Sequence, residues 1–156
     1  MKTSPYEFKL KRQVEFGDTD MAGIMHFSNF FRFMEAAETA FFRSLGLSIV
    51  TTGFDQPIGW PRVHADCDFI HPLRFEDTVE IHLLVREKKT RSIVYGFIFR
   101  NLNEHPAREV ARGTLVVACV TRNSHAGRMV AVPIPQPIAD KIGVVPKEVL
   151  EKIYKS

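Results

Sequence analysis

Apolar and polar side chains alternate in part along Tyr6–Phe16, with Tyr6, Phe8 and Leu10 set against Glu7, Lys9 and Lys11, which predicts a half-buried strand. The run Phe16-Gly17-Asp18-Thr19-Asp20-Met21-Ala22-Gly23 breaks that period with residues that permit turns and bond to their own backbone, so a loop follows. From Ser28 or Asn29, either a good N-cap, the pattern turns helical and runs to Leu45, where Gly46 is placed to stop it in the left-handed conformation. Within that helix Phe30, Phe31, Phe33, Met34, Ala36, Ala37, Ala40, Phe41, Phe42 and Leu45 are apolar. Only a narrow stripe of Arg32, Glu35, Thr39 and Arg43 is polar. Such a helix is buried over most of its circumference.

After a connection holding Gly53, Pro57, Gly59 and Pro61 come four strand-like stretches: Val63–Ile70, Thr78–Lys88, Ser92–Asn101 and Glu109–Arg122. In the second, Val79, Ile81, Leu83 and Val85 face one way and Glu80, His82 and Arg86 the other, predicting one core face and one wetter face. The short links between the last three imply antiparallel pairing. Val130–Ile134 predicts a short edge strand, and Ile138–Tyr154 one or two small helices. One long helix with a run of antiparallel strands gives an α+β domain in which the sheet wraps the helix. The alternation of helices that a parallel sheet needs is absent.

Composition narrows the picture. A chain of 156 residues, 45% apolar and 25% charged, suits a single domain over residues 1–156 and argues against disorder. The longest apolar run, Leu115–Val120, is too short to cross a bilayer, and the N-terminus lacks a secretory apolar core, so no membrane partner and a cytoplasmic location are expected. Cys67 and Cys119 are isolated in strand-like stretches with no metal-ligand spacing, and both are expected as reduced core residues. A net charge of +3 and a pI near 9.0 mildly favour a polyanionic partner. The basic run Arg86-Glu87-Lys88-Lys89-Thr90-Arg91 reads first as a solvated hairpin tip. No RNP-like strand or recognition helix supports a nucleic-acid partner.

The chemistry concentrates between Phe16 and Phe30, where two carboxylates precede a helix start. A helix N-terminus offers unpaired N–H groups and a positive dipole end, which suits a polarised carbonyl or an oxyanion. The segment Phe16-Gly17-Asp18-Thr19-Asp20-Met21-Ala22-Gly23-Ile24-Met25-His26-Phe27-Ser28-Asn29-Phe30 resembles the signature of 4-hydroxybenzoyl-CoA thioesterase-like hotdog enzymes. There an Asp-x-Asp loop runs through a glycine into an aromatic pair, an Asn and the central helix. Glu35, Ala36, Phe41, Phe42 and Gly46, and then Pro72-Leu73-Arg74-Phe75-Glu76-Asp77, extend the resemblance over roughly residues 6–120.

The resemblance implies a hotdog fold, in which a long central helix is wrapped by five or six antiparallel strands. It also implies hydrolysis of an acyl-CoA substrate with no separate cofactor, at sites built between the subunits of a homodimer or homotetramer. Asp20 matches the catalytic aspartate, as nucleophile or general base, and the Phe27 N–H matches the donor to the thioester carbonyl. Gly23 lets the backbone approach the substrate, while Asp18 fits a loop-capping role better. The chain departs from the family at His26 and Phe27, where Tyr, Trp or His is common. His26 supplies either a polar group or a structural histidine. Glu35 corresponds to the helix carboxylate of another thioesterase branch, or forms a surface pair with Arg32. Coenzyme A phosphates need Arg or Lys, and Lys88, Lys89 and Arg91 are candidates, with Arg122 and Arg128 behind them. Two alternatives share the fold: a hydratase or dehydratase using His26, disfavoured because Phe27 leads into Ser28 rather than Pro, and a non-enzymatic acyl-CoA-binding module.

Overall fold

The computed structural model describes residues 3–122 and 127–155. Among the described residues, seven strands, β1 (Glu7–Gln13), β2 (Arg62–Phe69), β3 (Thr78–Lys88), β4 (Ser92–Asn101), β5 (Arg108–Ala118), β6 (Val120–Arg122) and β7 (Met129–Ala131), accompany three α-helices and a 3-10 turn at Phe16–Asp18. The helices are α1 (Ser28–Ser44), α2 (Gln136–Ala139) and α3 (Lys147–Tyr154). Five strands form one antiparallel sheet in the order β1-β3-β4-β5-β2, while β6 and β7 make a separate ribbon. The stretch expected as one strand to Arg122 therefore divides at Cys119. The short strand near Val130 pairs with β6 instead of the main sheet, and Arg128 lies just before it.

The apolar face of α1 drives the assembly. Phe30, Phe33, Met34, Ala37, Phe41 and Phe42 are buried against Val79, Ile81, Leu83, Tyr95, Phe97 and Phe99 of the sheet, while Arg32, Glu35 and Arg43 stay exposed. Each buried Phe contributes roughly 1.5–3 kcal/mol relative to exposure, so the aromatic run fixes how the helix lies. The helix ends as its sequence demands: Gly46 takes φ +74°, its N–H donates to Arg43 O, and Leu47 N–H donates to Phe42 O.

The helix start differs from expectation. Ser28 and Asn29 are both helical, and no side chain of the N-cap residue Phe27 caps the turn. The His26 ring does so instead, its Nδ1 accepting the Ser28 N–H at 3.2 Å and lying 2.8 Å from Ser28 Oγ.

The outer face of the sheet is also drier than its alternation predicts. Leu84 and Ile98 are covered by Val145 and by Val149, Leu150, Ile153 and Tyr154 of α3. Tyr154 lies between the Arg86 and Arg112 guanidinium groups, 4.6 and 5.0 Å from its ring centre. The wetter side was inferred from Glu80, His82 and Arg86, yet His82 is buried between Glu7 and Arg100. Cys67, expected in the core, sits half-buried on the edge strand, whereas Cys119 is buried; both are free.

Candidate active site

The loop carrying Asp20 is stitched from both sides. Asp18 ties it down: its Oδ2 accepts the Glu15 N–H at 2.9 Å, and its carbonyl accepts the His26 N–H and an Asn29 Nδ2–H, both at 2.8 Å. This is the capping role expected for Asp18. Asp20 N–H donates to Ile24 O, Gly23 N–H returns to Asp20 O, and Met25 N–H donates to Leu73 O at 2.7 Å. The turn needs φ +80° at Gly23, a conformation costing any other L-residue about 1–2 kcal/mol. The tight turn beside Asp20 therefore falls at a glycine.

Asp20 is half-buried, with Oδ1 accepting the Ala22 N–H at 2.8 Å and Oδ2 left without a partner among the described residues. Asp20, Phe27, Met25, Phe30, Phe69 and His71 are among the walls of a cavity of about 470 Å³. A second cavity, of about 590 Å³, opens on the other side of Asp20 between Phe16, Met21, Gly23 and Phe75. The carboxylate stands on the ridge between them. Among the described residues no protein group accepts the Phe27 N–H, whereas the N–H groups of His26, Asn29 and Phe30 are all taken. A carboxylate and a free amide at the positive end of a 17-residue helix thus share one largely apolar hollow. Such an arrangement can attack, or direct water onto, a carbonyl whose oxygen the amide holds.

Other expected residues fall elsewhere. His26 is occupied in starting the helix and stacks on Phe27 at 4.7 Å. Glu35 lies about 12 Å along the axis from Phe27 on the exposed side of α1, and it forms no ion pair with Arg32 among the described residues. Lys88 is committed to structure, because its ammonium donates to the carbonyls of Ala139 and Ile142 at 2.7 and 2.6 Å. Lys89 pairs with Glu87 at 3.4 Å in solvent, and Arg91 is exposed. That hairpin sits at the end of the sheet opposite the Asp20 loop, about 33 Å away along the eleven residues of β3. The structure therefore does not bring Lys88, Lys89 or Arg91 to the Asp20 of their own chain.

The chain also matches the thioesterase-like superfamily model over residues 14–153. The chain belongs to the thioesterase-like superfamily. Relatives and structural neighbours of the chain are named as hydrolases of coenzyme A thioesters. A 1,4-dihydroxy-2-naphthoyl-CoA hydrolase of Parasynechococcus marenigrum is 37% identical over 52% of this chain and 59% of its own. The 4-hydroxybenzoyl-CoA thioesterase of a Pseudomonas species is 30% identical over 54% of this chain and 62% of its own, so the chain spans about 60% of the length of these two relatives. A 1,4-dihydroxy-2-naphthoyl-CoA thioesterase from Synechocystis superposes with a TM-score of 0.76 at 25% identity, covering 87% of this chain and 95% of that one. The hotdog architecture of this thioesterase-like protein is thereby established.

Two groups escaped the sequence pattern. Glu38 is fully buried on α1, paired with Arg62 at the start of β2; its Oε2 and the Tyr95 hydroxyl have no hydrogen-bond partner among the described residues. Burial raises its pKa above the usual 4.5, with the Arg62 charge opposing, and burial also pushes Tyr95 well above its ordinary value. A signal existed: Glu38 falls four residues from Met34 and three from Phe41, on the apolar flank of the helix. The second group is His71, which enters the cavity wall from the end of β2.

Proposed function

We propose that the protein hydrolyses an acyl-CoA to the free acid and coenzyme A, with Asp20 as nucleophile or general base and the Phe27 N–H polarising the thioester carbonyl. The observation that carries this reading is the convergence of a half-free carboxylate and an unbonded N–H on one apolar cavity at the start of α1. As a nucleophile, Asp20 forms a mixed anhydride with the acyl carbon and expels the thiolate, and water then cleaves the anhydride. As a general base, it takes a proton from water attacking the same carbon. The relatives named above act on hydroxylated aryl thioesters of coenzyme A, and the Phe-rich walls suit an aryl acyl group.

The working unit is taken to be at least a dimer in the cytoplasm. β2 leaves one edge unpaired, and Val63 and Phe69 on it are 62% and 49% exposed. Antiparallel pairing of two such edges would reverse the ends of the sheets. The Lys89–Arg91 end of one copy would then lie beside the Asp20 end of the other, giving those cations a route to coenzyme A phosphates that their own chain lacks.

Asp20→Asn preserves shape while removing charge and basicity. Its kcat on an accepted acyl-CoA should fall by about 10²-fold or more with little change in KM. Single turnover in isotopically labelled water, with enzyme in excess, separates the routes: label in the Asp20 side chain marks the anhydride. A rate near that of the wild type for Asp20→Asn would remove Asp20 from the mechanism.

A further inference from the structure

We propose that His71 hydrogen-bonds a polar substituent, foremost a hydroxyl, on the acyl group held in the cavity beside Phe27. This assignment rests on Asp20 being the carboxylate that acts on the thioester. Because Asp20 stands between two cavities, a thioester placed over it sends its acyl group to one side and its thiol arm to the other. The Phe27 amide that must meet the carbonyl oxygen borders the first cavity, which is backed by buried Met25 and Phe30. The second is walled by Phe16 and Met21, both exposed. The first therefore receives the acyl group.

Once Asp20 and the Phe27 amide are engaged at the thioester, His71 is the remaining wall residue of the first cavity with a polar side chain. Its imidazole is half-buried, and neither nitrogen has a hydrogen-bond partner among the described residues. Of the other described histidines, His26 is bonded to Ser28, His64 to Asp66, and His82 to Glu7 and Arg100, while His105 is exposed on a turn away from the cavity. The position of the ring is also referenced to the catalytic loop. The His71 and Ile70 N–H groups both donate to Val110 O, at 3.0 and 2.8 Å, and two residues on, Leu73 O holds Met25. An acyl group filling the cavity strips water from this imidazole. A hydroxyl replaces the lost hydrogen bond, and a bare ring leaves it unmade, so the cavity discriminates between the two.

The test uses wild-type protein, His71→Phe and His71→Asn on matched acyl-CoAs with and without a hydroxyl: benzoyl against its three hydroxy isomers, 2-naphthoyl against 1,4-dihydroxy-2-naphthoyl, and an aliphatic pair. Wild-type protein should favour at least one hydroxylated member by about tenfold or more in kcat/KM. In His71→Phe that ratio should collapse towards one. Should His71→Phe fail to fold, His71→Asn decides, because a shorter hydrogen-bonding side chain should shift the isomer preference. A ratio that survives in the substituted proteins, or a wild-type protein active on every pair without preference, would overturn the role of His71 and leave the proposed function standing. Absence of hydrolysis on the whole panel by wild-type protein would overturn both.

Discussion

At the scale of single residues, the molecule separates groups that hold the site from groups that act in it. Asp18 and Asp20 are two positions apart, yet Asp18 ties the loop to the helix start through its Oδ2 and its carbonyl, while Asp20 lines both cavities with Oδ2 unbonded among the described residues. His26 and His71 divide similarly. Glu38 poses a different residue-scale problem, since a buried carboxyl paired with Arg62 carries a desolvation cost. Its folded-state pKa is raised, so the stability it contributes is fully present below the usual 4.5 and is lost as pH rises through the folded value. Thermal or urea unfolding measured across a pH series should show wild-type protein losing stability relative to Glu38→Gln as pH climbs from 4.5. Parallel curves for the two proteins would place the ionised form of Glu38 on an equal footing in both states.

At the scale of elements, charged side chains serve as fasteners between pieces that sequence separates. His82 on β3 joins Glu7 of β1 to Arg100 of β4: Arg100 donates to Nδ1, which leaves Nε2–H to donate to Glu7 and keeps the imidazole neutral. Burial lowers its pKa below 6.5 in the same sense. Lys88 fastens the carbonyl end of α2 to the β3–β4 hairpin. Two basic neighbours should therefore respond differently to substitution. Lys88→Met is expected to cost about 1.5–3 kcal/mol in urea unfolding, the range for hydrogen bonds to a charged donor, with KM for acyl-CoA little changed. Arg91→Ala should leave stability intact and raise KM for acyl-CoA but not for a truncated thioester lacking the nucleotide. Equal KM changes on both substrates would remove Arg91 from phosphate recognition.

At the scale of the whole molecule, β2 is one of the two open edges of the sheet, and it brings Phe69 to the Asp20 end of the sheet and Arg62 to the hairpin end. A charge added to the exposed side of that edge should oppose pairing of two copies. Val63→Lys, outside the cavity walls of its own chain, is expected to shift sedimentation towards monomer and to lower kcat/KM in parallel; full activity in a strictly monomeric species would exclude a shared site. How much of this was legible beforehand differs by region. Period-two and period-3.6 patterns fixed β3, β4 and most of α1 to the residue, because burial on one face imposes those periods on the chain. The Asp20 loop and the Gly46 stop were legible for a related reason: both need particular backbone conformations that few residues supply. Local pattern is silent on which surfaces meet. The dry outer face of the sheet, the capping of α1 by His26, the diversion of Lys88 into α2, the pairing of Glu38 with Arg62 and the arrival of His71 beside Asp20 all join residues distant in sequence or turn on side-chain direction. Only packing of the whole chain sets those contacts, since each depends on where a second element comes to rest.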